Sequence, residues 1–160
     1  MLKSEDTKKL WSLIKDVKVG MLVSHDDTNL RARPMHITQD EFDGTLYFFT
    51  KRKSDKVEEI KKDHDVCVAF SGPEEDSYVS CSGVANIIRD QDLINDMWNP
   101  FVAAWFPEGK EDPNVALIKI DVYMAEIWDT DKSDMVQLYE IAKANLTDSK
   151  PDMGENKKFG

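Results

Sequence analysis

Several things are scarce in this 160-residue chain, and each scarcity excludes something. There are only two cysteines, Cys67 and Cys81. Both sit in apolar strand-like runs, so they read as reduced core thiols of a cytoplasmic protein rather than a disulfide framework. Basic residues are outnumbered, 21 Lys and Arg against 31 Asp and Glu, for a formal charge of −10. That balance disfavours sequence-independent nucleic-acid binding, which needs a cationic excess, and it disfavours an anionic membrane surface. Long apolar runs are missing too. The longest, Phe101–Pro107, is far short of a bilayer span. The opening MLKSEDTKKLW has no apolar h-region, so no secretory signal is expected. No GxGxxG, Walker A or GxSxG pattern occurs, which argues against a Rossmann dehydrogenase, a P-loop enzyme and an α/β-hydrolase. The three histidines, His25, His36 and His64, have no metal-ligand spacing, so no metal is expected.

What is present is enough apolar and aromatic material for one core: 41% hydrophobic residues, with 4 Trp, 4 Tyr and 7 Phe. A chain of this size buries roughly 68–70% of its unfolded surface without staples. The charge is unevenly placed. Residues 1–56 carry 11 basic and 9 acidic side chains, while residues 57–160 carry 10 and 22.

Leu10, Leu13, Ile14 and Val17 share one helical face, which predicts a helix over 4–18 capped by Ser4 or Asp6 and ended by Gly20. Residues 21–24 and 30–38 read as strands joined by the turn cluster Asp26–Asn29. Asp43-Gly44 is a hairpin signal before the strand Thr45–Thr50. Residues 54–62 look helical with Ser54 as N-cap, and 65–71 and 78–89 read as strands. Gly83 in the latter suggests a bulge or a close backbone approach. One or two short helices over 90–105, a strand over 116–128 and a helix over 133–144 follow. Tight turns between so many strands favour a mainly β (α+β) antiparallel barrel or sandwich over a βαβ sheet. One domain is expected over 1–145, with 146–160 as a loose polar tail.

Three segments carry candidate chemistry. In Arg31-Ala32-Arg33-Pro34-Met35-His36, positions 31, 33 and 35 share a strand face. Two arginines there make a fork for a phosphate or carboxylate, or they pair with the chain's own acids. Pro34 places the strand at an edge or a bulge. Thr50–Lys56 brings four basic residues to a helix N-terminus, which is either an anion site or a solvated turn. In Trp98–Pro107, the two tryptophans are seven apart and share a helical face. They are core packing, or an aromatic wall beside a ring system or a subunit interface, and Trp128 has the same two readings.

Taken in order, RARPMH, LYFFTKRKSDKVEEI, YVSCSGVANI and WNPFVAAWFPEGKEDPNVALIKIDVYMAEIWD resemble one family over residues 5–130. The chain is similar to pyridoxamine-phosphate-oxidase-like FMN-binding proteins of the bacterial general stress branch. That resemblance implies a Greek-key split β-barrel with flanking helices, and a homodimer with two flavins at its interface. By position, Arg31 through His36 run along the flavin, and Phe49 and Thr50 match the next flavin-lining strand. Ser54 and Lys56 match the phosphate-binding turn. Tyr78 falls near a flavin-contacting glutamine, and Trp128 matches a tryptophan reaching the flavin from the other subunit. FMN is the implied cofactor, with FAD, a deazaflavin or haem as alternatives.

The sequence departs from the oxidases in three places. Asp55 stands where they carry an arginine. The Arg-x-His substrate pair near their C-terminus has no counterpart, since Arg89 is the last arginine and His64 the last histidine. His36 replaces a substrate-contacting lysine. The expectation is an FMN-dependent oxidoreductase that does not oxidise pyridoxamine phosphate and acts on a small molecule of unassigned identity. The rival is a non-enzymatic flavin-binding or sensing module. No residue is assigned as a catalytic acid or base.

Overall fold

The computed structural model describes residues 2–72, 77–129, 134–152 and 154–160. Its elements are α1 (Ser4–Ile14), β1 (Val19–Asp26), β2 (Asn29–His36), β3 (Thr45–Lys51), α2 (Asp55–Lys62), β4 (Asp65–Gly72), β5 (Ser77–Ile88), α3 (Gln91–Met97), α4 (Pro100–Trp105), β6 (Val115–Asp129), α5 (Asp134–Thr147) and β7 (Glu155–Phe159). No described helix is long and apolar enough to cross a membrane.

The strands form one antiparallel sheet in the order β2-β1-β4-β5-β6-β3. β3 covers Val115–Asp121 of β6, and β7 covers Ala125–Asp129. β2 and β3 are the two ends of that strand order, and they approach each other without backbone pairing. The barrel is split between them. Pro34 is tolerated because β2 is paired on one side only, to β1.

The strand periodicity explains the core. Leu46 and Phe48 of β3 point inward in alternation, as do Leu22, Val68, Cys81, Ile118 and Ile120, and all are fully buried. Leu10 and Ile14 of α1 join this cluster. Burying a side chain the size of Phe48 contributes about 1.5–3 kcal/mol. A second, smaller cluster of Ile94, Met97, Val102, Phe106, Val115 and Leu117 fixes α3 and α4 to the β3–β6 pair. Asp90 caps α3 through the N–H groups of Asp92 (3.0 Å) and Leu93 (3.2 Å). Asn99 caps α4 through Val102 N–H (2.9 Å).

Gly83 marks a register shift on β5, where an added Cβ would lie 2.7 Å from the Asp121 carbonyl oxygen. Cys67 and Cys81 lie on adjacent strands, with Cys67 opposite Ser82 and Cys81 opposite Val68. Their side chains therefore face opposite sides of the sheet, and burial pushes the Cys81 thiol up to about 12.

Four expectations need correction. The first helix stops at Ile14, and Lys18 in the left-handed region (φ 63°) turns the chain into β1, which contains Gly20. Lys3 rather than Ser4 or Asp6 holds the cap position, with no side-chain bond. Asp43-Gly44 makes no hairpin, because β3 pairs with β6 and not with β2. Instead Asp43 Oδ1 accepts from Thr45 N–H (3.0 Å), and Gln39 stands beside β3 in place of a strand. Its Oε1 accepts from Tyr47 N–H (2.8 Å), and its Nε2 donates to the Thr45 carbonyl (2.9 Å). Finally, 146–160 is not a loose tail. It holds the end of α5 and all of β7, because Phe159 is an apolar anchor that reaches the main core, while Asn156 bonds Glu126 and the Ile127 carbonyl.

Candidate functional site

A cavity of about 420 Å³ opens in the split between the edge strands. β2 lines it with Pro34, Met35 and His36, and β3 with Phe49, Thr50 and Lys51. Ser54 and Lys56 come from the N-cap and first turn of α2, Phe101, Val102 and Trp105 from α4, and Phe106 from the C-cap of α4. Val19 and Thr38 complete the lining. The site lies here because sheet edges present unpaired backbone groups, and α4 is held over them by the second core cluster.

One end is basic. Ser54 holds the N-cap position of α2 but turns its hydroxyl back to the Lys51 carbonyl (3.0 Å). The first turn of α2 thus has no side-chain cap, and its dipole favours an anion. Lys56 is half-buried there. Burial first, and the Arg33 charge second, hold its ammonium below the ordinary 10.5.

The other end is aromatic. The His36 and Phe101 rings stack with centroids 4.1 Å apart and an interplanar angle of 27°. Burial, then the Lys18 charge, lowers the His36 pKa below 6.5, so the neutral imidazole is favoured at pH 7. Trp105 is 66% exposed. Trp98 does not share its face. The helix breaks at Trp98-Asn99, so Trp98 packs edge-on to Phe49 in the core (5.8 Å) and Trp105 alone reaches the cavity. On the lining, Thr38 Oγ1 is the one buried side-chain polar atom among the described residues with no hydrogen-bond partner.

The residues singled out in the sequence thus divide. Pro34, Met35, His36, Phe49, Thr50, Ser54 and Lys56 converge on one cavity. Arg31, Ala32 and Arg33 do not line it. The two arginines are engaged by Glu59, a buried carboxylate of α2. Arg31 Nη1 donates to Oε1 (2.9 Å) and Arg33 Nη2 to Oε2 (2.6 Å). Ala32 is exposed opposite Val23. Tyr78 and Trp128 are register partners on the outer sheet face, 45% and 41% exposed. Sequence reasoning assigned no role to Val19, Thr38, Val102 or Glu59. Glu59 carried no distinguishing signal among the acids of 54–62. The described residues contain no metal-binding group of three or more His, Cys, Asp or Glu.

A split antiparallel barrel with a cleft between its edge strands defines the class. The chain belongs to the pyridoxamine 5'-phosphate oxidase-like family, whose model matches residues 5–152. It is similar to general stress protein 26 of Bacillus subtilis, 28% identical over 128 residues, covering 75% of this chain and 86% of that protein. Among solved structures it resembles a candidate general stress protein 26 of Jannaschia sp. CCS1, at 30% identity and a TM-score of 0.76, covering 98% of each chain. It also resembles the general stress FMN/FAD binding protein of Xanthomonas citri, at 32% identity and a TM-score of 0.72, covering 82% of this chain and 93% of that one. The mainly antiparallel split barrel with flanking helices and the general stress protein branch stand as read from the sequence, and the comparisons narrow that branch to general stress protein 26.

Proposed function

We propose that the cavity holds FMN and that the protein is a flavin-dependent oxidoreductase. The observation that carries this is a single cavity with aromatic walls at one end and Lys51, Ser54 and Lys56 at the uncapped start of α2 at the other. A flavin mononucleotide needs that combination, an apolar slot for its ring and a cationic end for its phosphate. The unpartnered hydroxyl of Thr38 fits a polar contact to a ligand. The likeness to an FMN/FAD binding protein of Xanthomonas citri supports the same reading.

In this reading Lys56 and Ser54 hold the phosphate, while Pro34, Met35, Phe49 and Thr50 flank the ring and His36 and Phe101 close its far edge. Bound flavin supplies hydride and single-electron transfer. The chain's own residues orient it and exclude water. The purified protein is expected to carry or take up FMN, seen as a visible flavin absorbance band and identified by mass after release. A protein that shows no band and binds no added FMN overturns the proposal. Pyridoxamine phosphate is expected not to be turned over, because no Arg-x-His pair follows Arg89. Turnover of that substrate by the FMN-loaded protein refutes this part.

The same reading includes a homodimer. Val19, Met21, Tyr78, Met124 and Trp128 are each more than 40% exposed, and all lie on the outer face of β1, β5 and β6. Val19 also lines the cavity, so the cavity borders that apolar face. A second copy seated there covers it and brings its own Trp128 toward the flavin. A binding or sensing role without turnover has one observation in its favour: His36 is the only cavity residue whose ordinary pKa lies near neutrality. Anaerobic reduction by NAD(P)H separates the two roles, since turnover supports the enzyme.

A further inference from the structure

The Glu59 network lies outside the cavity lining and is built more tightly than a surface ion pair. Glu59 comes from α2, one turn after Lys56 and on the same helix face. Its carboxylate is 6% exposed and both oxygens are occupied. Oε1 accepts from Arg31, and Oε2 accepts from Arg33 and from the Ser24 hydroxyl (2.6 Å each). Ser24, itself 1% exposed, also accepts from Arg33 Nη1. The Arg33 guanidinium is thus held through two nitrogens on a closed triangle. Two of its five N–H donors are used in doing so.

A buried carboxylate is costly to desolvate, and apolar side chains of equal volume stabilise a core as well or better. Packing is therefore a poor reason for this arrangement. Its distinctive result is electrostatic. Glu59 ties Arg33, the neighbour of the cavity residue Pro34, to α2 three residues from Lys56, and the Arg33 charge adds to burial in holding the Lys56 ammonium down. Arg31, Arg33 and Lys56 face only Glu59 and Asp55 there, so a cationic excess stands beside the uncapped helix start, where a further anion is favourable.

We propose that Glu59 is a positioning residue: with Ser24 it anchors Arg33 behind Lys56, so that the basic end of the cavity recognises a phosphate monoester. The proposal rests on the flavin reading above for its natural ligand, and on the Glu59–Arg33–Ser24 geometry for its substance.

The test compares FMN with riboflavin, which lacks the phosphate, as ligands for wild type, Glu59→Gln and Ser24→Ala. Inorganic phosphate, read by thermal shift, is the third probe. Glu59→Gln is expected to lose roughly tenfold or more in FMN affinity, to keep its riboflavin affinity, and to lose the thermal shift with phosphate. Ser24→Ala is expected to show a smaller loss of the same selectivity. It carries the test if circular dichroism shows Glu59→Gln unfolded. A parallel fall for FMN and riboflavin overturns the proposal in favour of a scaffold role. FMN affinity that is unchanged or raised overturns it in favour of plain charge. If wild type binds neither flavin, the flavin reading fails and phosphate alone decides. A shift in wild type that is lost in Glu59→Gln upholds the role of Glu59, and an equal or absent shift removes it.

Discussion

Replacing Lys56 with methionine separates stability from ligand capture. In the folded protein this ammonium is disfavoured first by burial and then by Arg33, with Asp55 and Glu59 offsetting part of the cost. A base whose folded pKa is lowered binds its proton less readily in the folded than in the unfolded chain. Its protonation therefore works against folding at every pH below the ordinary 10.5, pH 7 included. Methionine keeps most of the apolar stem and its packing while removing that charge. The urea midpoint of the ligand-free variant is expected to equal or exceed that of wild type. Binding should move the other way. A charge-assisted hydrogen bond to phosphate is worth about 1.5–3 kcal/mol, which is roughly 10- to 150-fold in FMN affinity. Relief of the repulsion on Arg33 pulls the loss toward the lower figure. Fluorescence titrations with FMN and riboflavin, beside urea unfolding of the same preparations, make the measurement. The reasoning is refuted if FMN affinity does not change, if riboflavin weakens equally, or if the variant is destabilised.

Three further outcomes are expected. Gly83→Ala places a Cβ 2.6 Å from Ile120 Cγ2 and 2.7 Å from the Asp121 carbonyl oxygen, so it should cost about 1–3 kcal/mol in urea unfolding; a neutral substitution would mean that the bulge relaxes freely. Burial raises the Glu59 pKa, but bonds from Ser24 and Arg33 outweigh it, and the Lys9 bond lowers that of Asp129. Both carboxylates therefore contribute stability above their ordinary 4.5 and 3.8, and this contribution is lost as pH falls through their lower folded values. Glu59→Gln should flatten that acid limb in unfolding measured across a pH series, and an unaltered limb would exclude Glu59 as its source. Met124→Lys sets a charge on the outer sheet face and should shift the sedimentation coefficient from dimer to monomer, whereas an unchanged value would place any self-association elsewhere.

Much of this was legible in the sequence, for reasons that are local. The β-branched and aromatic run Thr45–Thr50, the alternation from Ile118 to Val122, the Asp26–Asn29 turn and the edge proline Pro34 each encode their geometry within a few residues; the alternation fails at Met124, which the register shift at Ser82/Gly83 turns outward. Asp43-Gly44 forms no hairpin because a turn signal states that the chain bends, not which strand it will meet. The pairing partner of β3 lies on β6, far along the chain, and local pattern carries no trace of it. Residue spacing alone puts Trp98 and Trp105 on one face. Asn99-Pro100 starts a new helix between them, and that break outweighs the seven-residue spacing. Phe159 was lost among polar neighbours, since one apolar residue in a charged stretch gives no periodicity. Glu59 was invisible for another reason: its role depends on facing Ser24 and Arg33 from a separate element.

The split between β2 and β3 also sets an order in time. β3 has no backbone partner until β6 arrives, and Thr45 lies opposite Asp121, 76 residues later. At a synthesis rate of about 5–20 residues per second, that interval is roughly 4–15 s. Throughout it the aromatic strand Thr45–Lys51 is exposed on a growing chain, and closing so long a loop is intrinsically slow. The cavity wall that β3 provides is completed only when β6 docks. A ligand that needs both walls consequently binds only a chain on which β6 has docked, and the unpaired aromatic strand is open to chaperones and aggregation before then.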